Sequence, residues 1–225
     1  MFFKRLRMDI AAAKNNDPAA RNKFEIFLTY SGVRALSMHR FANRLYRMHL
    51  KLLARMVSQY CKRRTGIEIH PAAKIASGVF IDHGEGVVIG ETAEVGTGTV
   101  IYQGCTLGGT GKETGKRHPT LCDNVMVSAG AKILGSFTIG ENSKIGAGSV
   151  VLEEVPANCT VVGVPGRIVK RGNEKVPRSD MDQVNLPDPV KEDIAALQHE
   201  NTALCNKIFD LQQQMKELQN LRKDQ

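Results

Sequence analysis

His83, in the stretch "IDHGEG" from residue 81, is the side chain of this sequence best placed to move a proton near neutral pH, because an unperturbed imidazole titrates between pH 5 and 8. Glu68 precedes it by fifteen residues and Asp82 stands beside it. A carboxylate on one ring nitrogen fixes the tautomer and stabilises the imidazolium, leaving the other nitrogen free as general base. That chemistry needs a fold that carries Glu68 to His83. A metal centre would need several of the six histidines to converge at ligand spacing. A His-x4-His pair is absent, since Asp123 stands five residues past His118 and Val88 five past His83; no metal is expected. The stretch "LGGTGKETGKRHPTL", residues 107–121, has the texture of a phosphate-cradling loop. A P-loop needs Gly, four residues, Gly-Lys and then Ser or Thr. Lys112 has Thr106 and Glu113 in those outer places and Lys116 has Thr110 and Arg117, so nucleotide binding there is excluded.

The elements that must position these residues follow from a period of six. An aliphatic residue recurs at Ile69, Ile75, Ile81 and Val87, then after a two-residue shift at Ile89, Val95, Ile101 and Leu107, and again at Leu121, Val127, Ile133, Ile139, Ile145 and Val151. In "IGETAE", "VGTGTV", "IGENSK" and "IGAGSV" a glycine directly follows it. Six fits neither a helix nor an alternating strand, but it is the hexapeptide signature of a parallel β-helix, in which three repeats make one triangular coil. A coil of eighteen residues puts Glu68 and His83 on adjacent turns. Between Leu107 and Leu121 the chain has eight residues more than the beat needs, an excursion from the coil. Such an insertion is either a solvated loop or a functional one thrown from a rigid scaffold.

Residues 1–65 lack the period and read as an N-terminal helical domain. Asp17-Pro18 predicts an N-cap followed by proline at the first helical position, and Val33, Leu36, Arg40, Phe41, Leu45 and Met48 follow helical spacing with one apolar side. The β-helix is expected over 66–172 and a polar, Pro-containing linker over 173–189. A C-terminal helix over 190–225 places Ile194, Leu197, Asn201, Leu204, Ile208, Leu211, Met215 and Leu218 at a and d positions of four heptads, which predicts a coiled coil. The fold class is therefore mainly β, a parallel β-helix with helical appendages.

The net charge of +8 is uneven: residues 1–66 carry 15 Lys and Arg against 3 acids, and the remainder 16 against 20. The basic helical face reads as a solvated surface or one that meets an acidic subunit, because no nucleic-acid motif accompanies it. Five scattered cysteines without a CxxC pair read as free thiols of a reducing compartment. The basic N-terminus lacks a signal-peptide core and no stretch reaches the roughly 20 apolar residues of a membrane span. A cytoplasmic protein with no nucleic-acid or membrane partner is expected.

The segments "IHPAAKI", "IDHGEGVVIGET", "TLGGTGKETGKRHP" and "AKILGSFTIGENSKIGAGSVVLEEVPANCTVVGVPGRIV" resemble the bacterial and plant serine O-acetyltransferases of the hexapeptide-repeat acyltransferase superfamily, over about residues 8–171. The resemblance implies a left-handed coil and transfer of acetyl from acetyl-CoA to the hydroxyl of L-serine. It implies His83 as catalytic base and Glu68, where many members have aspartate, as its orienting carboxylate. Asp17, Asp82, Arg117 and His118 match the serine-binding residues; by itself Asp17 reads as a helix cap. Ala129 and Ala147 match backbone contacts to coenzyme A, and Gly109 is a candidate oxyanion donor. The family also implies a homotrimer with shared sites, in which His118 serves a neighbour's His83, and feedback inhibition by L-cysteine. Long members use a larger helical domain to join trimers into hexamers, so a higher assembly is left open. Many relatives end in an isoleucine that enters O-acetylserine sulfhydrylase, whereas this sequence ends "NLRKDQ", and docking of that kind is not expected. The rival readings are a hexapeptide acetyltransferase acting on a sugar or antibiotic hydroxyl, which needs no Asp17 and Arg117, and a noncatalytic trimeric scaffold.

Overall fold

Each rung of the chain is a short strand that ends in an inward aliphatic side chain, and the rungs pair in parallel with those one coil away. The structure, a computed structural model, describes residues 2–111, 114–172, 194, 197–209 and 211. Three faces result. The first carries β1 (Glu68–Ile69), β4 (Val88–Ile89), β7 (Thr106–Gly108), β10 (Lys132–Leu134) and β13 (Val150–Val151); the second carries β2 (Lys74–Ile75), β5 (Glu94–Val95), β8 (Thr120–Leu121) and β11 (Thr138–Ile139). The third carries β3 (Phe80–Ile81), β6 (Val100–Ile101), β9 (Met126–Val127), β12 (Lys144–Ile145), β14 (Cys159–Val162) and the antiparallel closing strand β15 (Arg167–Arg171). Ile69, Ile89, Leu107, Ile133 and Val151 stack down the first face, and Ile81, Ile101, Val127, Ile145 and Val161 down the third. All are buried, each burial stabilising the fold by about 1.5–3 kcal/mol.

The period fails at one repeat. Val87 is buried but lies in a corner rather than on a strand. Glu68 pairs with Val88, twenty residues on, whereas Val88 pairs with Thr106, eighteen on. The two extra residues widen the corner that holds His83. The eight-residue excursion leaves after β7, because Thr106 pairs with Lys132, twenty-six on. Two prism edges therefore carry the irregular residues: the first joins the third face to the first (82–87, 102–105, 128–131, 146–149), and the second joins the first face to the second (70–73, 90–93, 109–119).

Four helices precede the prism: α1 (Phe2–Asn16), α2 (Lys23–Thr29), α3 (Ser31–Arg47) and α4 (Lys51–Thr65). Ala13, Ile26 and Val33 pack with Phe80, Val100, Tyr102 and Met126 on the outside of the third face. Arg40 is almost wholly buried and pairs with the fully buried Asp9, whose other oxygen accepts from Gly78 N at 2.9 Å. The stripe expected on α3 is thus only partly apolar. Val33 and Leu36 are buried, but Phe41 and Met48 are exposed, 54% and 60%.

The capping expectation at Asp17 is overturned. Asp17 N donates to Ala13 O at 3.0 Å, so Asp17 closes the C-terminal end of α1. The next cap is Asn22, whose Oδ1 accepts from Phe24 N and Glu25 N at 3.1 and 2.9 Å, satisfying donors that a helix start leaves free.

The chain divides into two units, Met1–Pro187 and Asp188–Gln225. In the second, residues 197–209 are helical, and Ile194, Leu197, Leu204, Ile208 and Leu211 of the expected heptad seam are exposed. Met215, Leu218 and the linker 173–189 lie outside the described residues. No described helix is long and apolar enough to cross a membrane.

Candidate functional site

At the first edge the widened corner puts His83 in the left-handed region, φ 56°, a costly conformation for a non-glycine residue that clusters at functional sites. His83 N donates to Asp82 Oδ1 at 2.9 Å, and its Nε2 lies 3.8 Å from Asp82 Oδ2. The imidazole is 72% exposed, so it is held at the backbone and presented to solvent. The helical domain reaches the same corner. Ser31 Oγ donates to His83 O at 2.7 Å, and Tyr30 donates its hydroxyl to Asp17 Oδ2. Burial, then the Asp17 hydrogen bond, pushes the Tyr30 hydroxyl up to about 12, so it remains a donor throughout the physiological range. Burial also raises Asp82 above the ordinary carboxylate range; His83 opposes that shift and Asp17 adds to it. Asp17, Asp82 and His83 are therefore brought together at this corner.

Glu68 is not brought to His83 within the chain. Its Oε2 accepts from Lys62 Nζ at 2.6 Å, and this hydrogen bond holds the carboxyl below its usual range. The physical reason is twofold. The final turn of α4 ends directly above β1 and delivers Lys62 to it, and the two extra corner residues put Glu68 in register with Val88 rather than with the corner that holds His83. The carboxylate beside the imidazole is Asp82.

Below His83 the first edge is lined by glycines. Gly86, Gly104, Gly130 and Gly148 have φ between 67° and 74°. A Cβ on Gly86 would lie 3.5 Å from Gly104 Cα, and one on Gly104 would lie 3.4 Å from Gly130 Cα. This ladder leaves one stripe of the edge without side chains, and Ala129 and Ala147 sit beside it just before Gly130 and Gly148. A long, thin molecule could lie along it against backbone amides.

The second edge is tighter. Arg117 Nη2 donates to Glu91 Oε2, an acid that this hydrogen bond holds below its usual range. Thr92 Oγ1 accepts from Arg117 N at 3.0 Å and from His118 N at 3.1 Å, and lies 2.9 Å from His118 Nδ1. Thr92 N also donates to that Nδ1 at 3.2 Å, which assigns the ring proton to Nε2. Burial first, then Arg117, lowers the His118 pKa; the ring is neutral at pH 7, with Nε2–H as its donor. It lies flat on Gly90, where any Cβ would collide with it. Gly109 sits at the loop stem, where a Cβ would meet Arg117 O at 2.9 Å. Among the described residues no group of three His, Cys, Asp or Glu is placed to hold a metal.

Sequence reasoning missed Tyr30, Ser31, Glu91 and Thr92. The last two were findable, since Arg117 follows Glu91 by twenty-six residues, the length of one coil plus the excursion. Nothing in the spacing pointed to Tyr30, which meets Asp17 across two helices of unrelated phase.

A family model described as "Bacterial transferase hexapeptide (six repeats)" matches residues 118–153. A serine acetyltransferase of Bacillus subtilis (strain 168) is 52% identical over 210 residues, covering 93% of this chain and 96% of the relative. Among solved structures, a serine acetyltransferase in complex with cysteine matches with TM-score 0.79 and 41% identity over 82% of this chain and 72% of its own. Another, in complex with CoA, matches with TM-score 0.71 and 40% identity over 75% and 70%.

Proposed function

The chain belongs to the serine acetyltransferase family, and from that premise we propose how its two edges carry out the reaction. The enzyme transfers acetyl from acetyl-CoA to the hydroxyl of L-serine, giving O-acetyl-L-serine and CoA, in cysteine biosynthesis, on a left-handed parallel β-helix. Neither the sugar or antibiotic acetyltransferase reading nor the scaffold reading is retained.

His83 is the general base. It takes the serine hydroxyl proton as that oxygen attacks the thioester carbonyl; the tetrahedral oxyanion then collapses, the C–S bond breaks, and the imidazolium returns the proton to the CoA thiolate. A base so placed contributes about 10²–10⁴ in rate. Asp82 steadies the imidazolium and, with Asp17, pairs with the serine ammonium. Arg117, whose planar fork suits a carboxylate, grips the other end of the zwitterion, and His118 Nε2–H donates beside it. In the free chain Glu91 accepts from Nη2 and Gly115 O from Nη1 at 3.3 Å, and the serine carboxylate takes over from the weaker of these. CoA lies along the glycine ladder against Ala129 and Ala147, and Gly109 N is the candidate oxyanion donor. L-Cysteine, with a thiol in place of the hydroxyl, occupies the same site as an inhibitor. Glu68 orients the base only if it leaves Lys62.

The observation that carries this reading is the split between edges. Asp17, Asp82 and His83 stand on the first edge and Arg117 and His118 on the second, so one prism holds half a site twice. Closing three copies about an axis apposes unlike edges and completes three sites. We infer a homotrimer on this ground, with the exposed heptad seam of the C-terminal helix as a further contact between copies. Serine-dependent release of CoA thiol from acetyl-CoA tests the activity. His83→Ala should abolish release with an unchanged circular dichroism spectrum; persistent turnover would refute the base.

A further inference from the structure

The helical domain grips the catalytic corner through two successive residues. Tyr30, between α2 and α3, has an extended backbone (φ −76°, ψ 111°). Its hydroxyl donates to Asp17 Oδ2 while Ala19 N donates to Asp17 Oδ1 at 2.7 Å. Both carboxylate oxygens are thus fixed from within the helical domain. Ser31, the next residue, donates to His83 O at 2.7 Å. One short segment therefore positions the acid of one domain and the base of the other. Asp17 and Asp82 are near enough for the first to raise the pKa of the second. Two carboxylates so close repel, and an unrestrained Asp17 at the end of α1 would turn toward water.

We propose that Tyr30 is a positioning residue for the substrate ammonium: by donating to Asp17 it holds that carboxylate alongside Asp82, so that an amino alcohol meets two converging charges and an alcohol without an ammonium is refused. This rests on the serine reading of the site. Tyr30 itself touches neither serine nor the reacting atoms. It acts through Asp17, which distinguishes it from a residue that merely packs the helices.

Tyr30→Phe keeps the ring and removes only the donor. In the full-length protein, KM for L-serine should rise about ten-fold, as expected for losing a hydrogen bond to a charged group, while kcat and KM for acetyl-CoA stay within about two-fold. The preference for L-serine over 3-hydroxypropanoate, measured as the ratio of kcat/KM values, should fall by the same factor. Asp17→Asn should raise KM for L-serine at least as much, and adding Tyr30→Phe to it should change little further, because two residues acting through one contact are not additive. A thermal melt checks that each variant is folded; if Tyr30→Phe is not, Tyr30→Met, which also lacks the donor, is measured in the same way and should show the same rise in KM for serine. An unchanged KM for serine, equal rises for both substrates, or additive effects in the double variant would each overturn the proposal. Wild-type protein without serine-dependent turnover would instead overturn the underlying function.

Discussion

The two working edges of the prism solve opposite problems with similar residues. At the first, His83 is exposed and held by its backbone in a strained conformation, with Asp82 nearby but not in hydrogen-bonding contact through the ring. At the second, His118 is buried against Gly90, bonded at Nδ1 and kept neutral by its surroundings. The first imidazole is presented to solvent; the second has one tautomer and one donor direction. A base must move a proton, and a grip must not move at all.

The largest effect that would test this contrast is complementation. His83→Ala and Arg117→Ala should each be nearly inactive, but refolding them together should restore about a quarter of wild-type activity, because a quarter of randomly assembled interfaces combine two intact edges. No recovery on mixing would show that both edges serve one chain. Next, Arg117→Lys should raise KM for serine by roughly 10²-fold with little change in KM for acetyl-CoA, since a point charge does not replace a bidentate fork. An unchanged KM would leave Arg117 to its ion pair with Glu91. Thr92→Val, which removes the oxygen that orders Arg117 and His118, should cost roughly ten-fold in kcat/KM for serine. It should leave the pH profile in place, because His118 does not titrate in turnover; a moved limb would mean that it does.

The smallest effect separates the edge from the domain that steadies it. Burial lowers the pKa of His39, in α3, from 6.5 to about 4. Its neutral form therefore contributes stability that is complete above pH 6.5 and is lost as pH falls toward 4, by roughly 1.4 kcal/mol per unit at most. His39→Gln should flatten the dependence of the melting temperature on pH across that window. Activity should still fall toward acid pH as Asp82, whose pKa its burial raises, takes up a proton. Identical melting curves for wild type and variant would remove His39 as the source.

Much of this was legible in the sequence because a solenoid is nearly one-dimensional, each rung meeting only its neighbours. The recurrence from Ile69 to Val151 placed the strands, and the surplus between Leu107 and Leu121 placed the excursion. It failed where the count was blind to local geometry. Val87 kept the beat yet fell in a corner, and Asp17-Pro18 had the residues of a helix start at a helix end. Glu68 stood at a plausible distance from His83, but the spacing gave no warning that Lys62 would arrive from α4 to claim it.

The order of residues thus decided the coil, the histidine proposed as base and the presence of acids and an arginine suited to a zwitterion, because hydrophobic period and side-chain chemistry are written along the chain. Only the tertiary structure decided which acid stands beside His83, that Tyr30 and Ser31 join the helical domain to that corner, and that the residues of the proposed site lie on different edges. Those relations depend on how helices of unrelated phase dock onto the prism, which has no period to read; the two-residue shift before Ile89 was visible as a break in the beat, but not which corner contacts it would set.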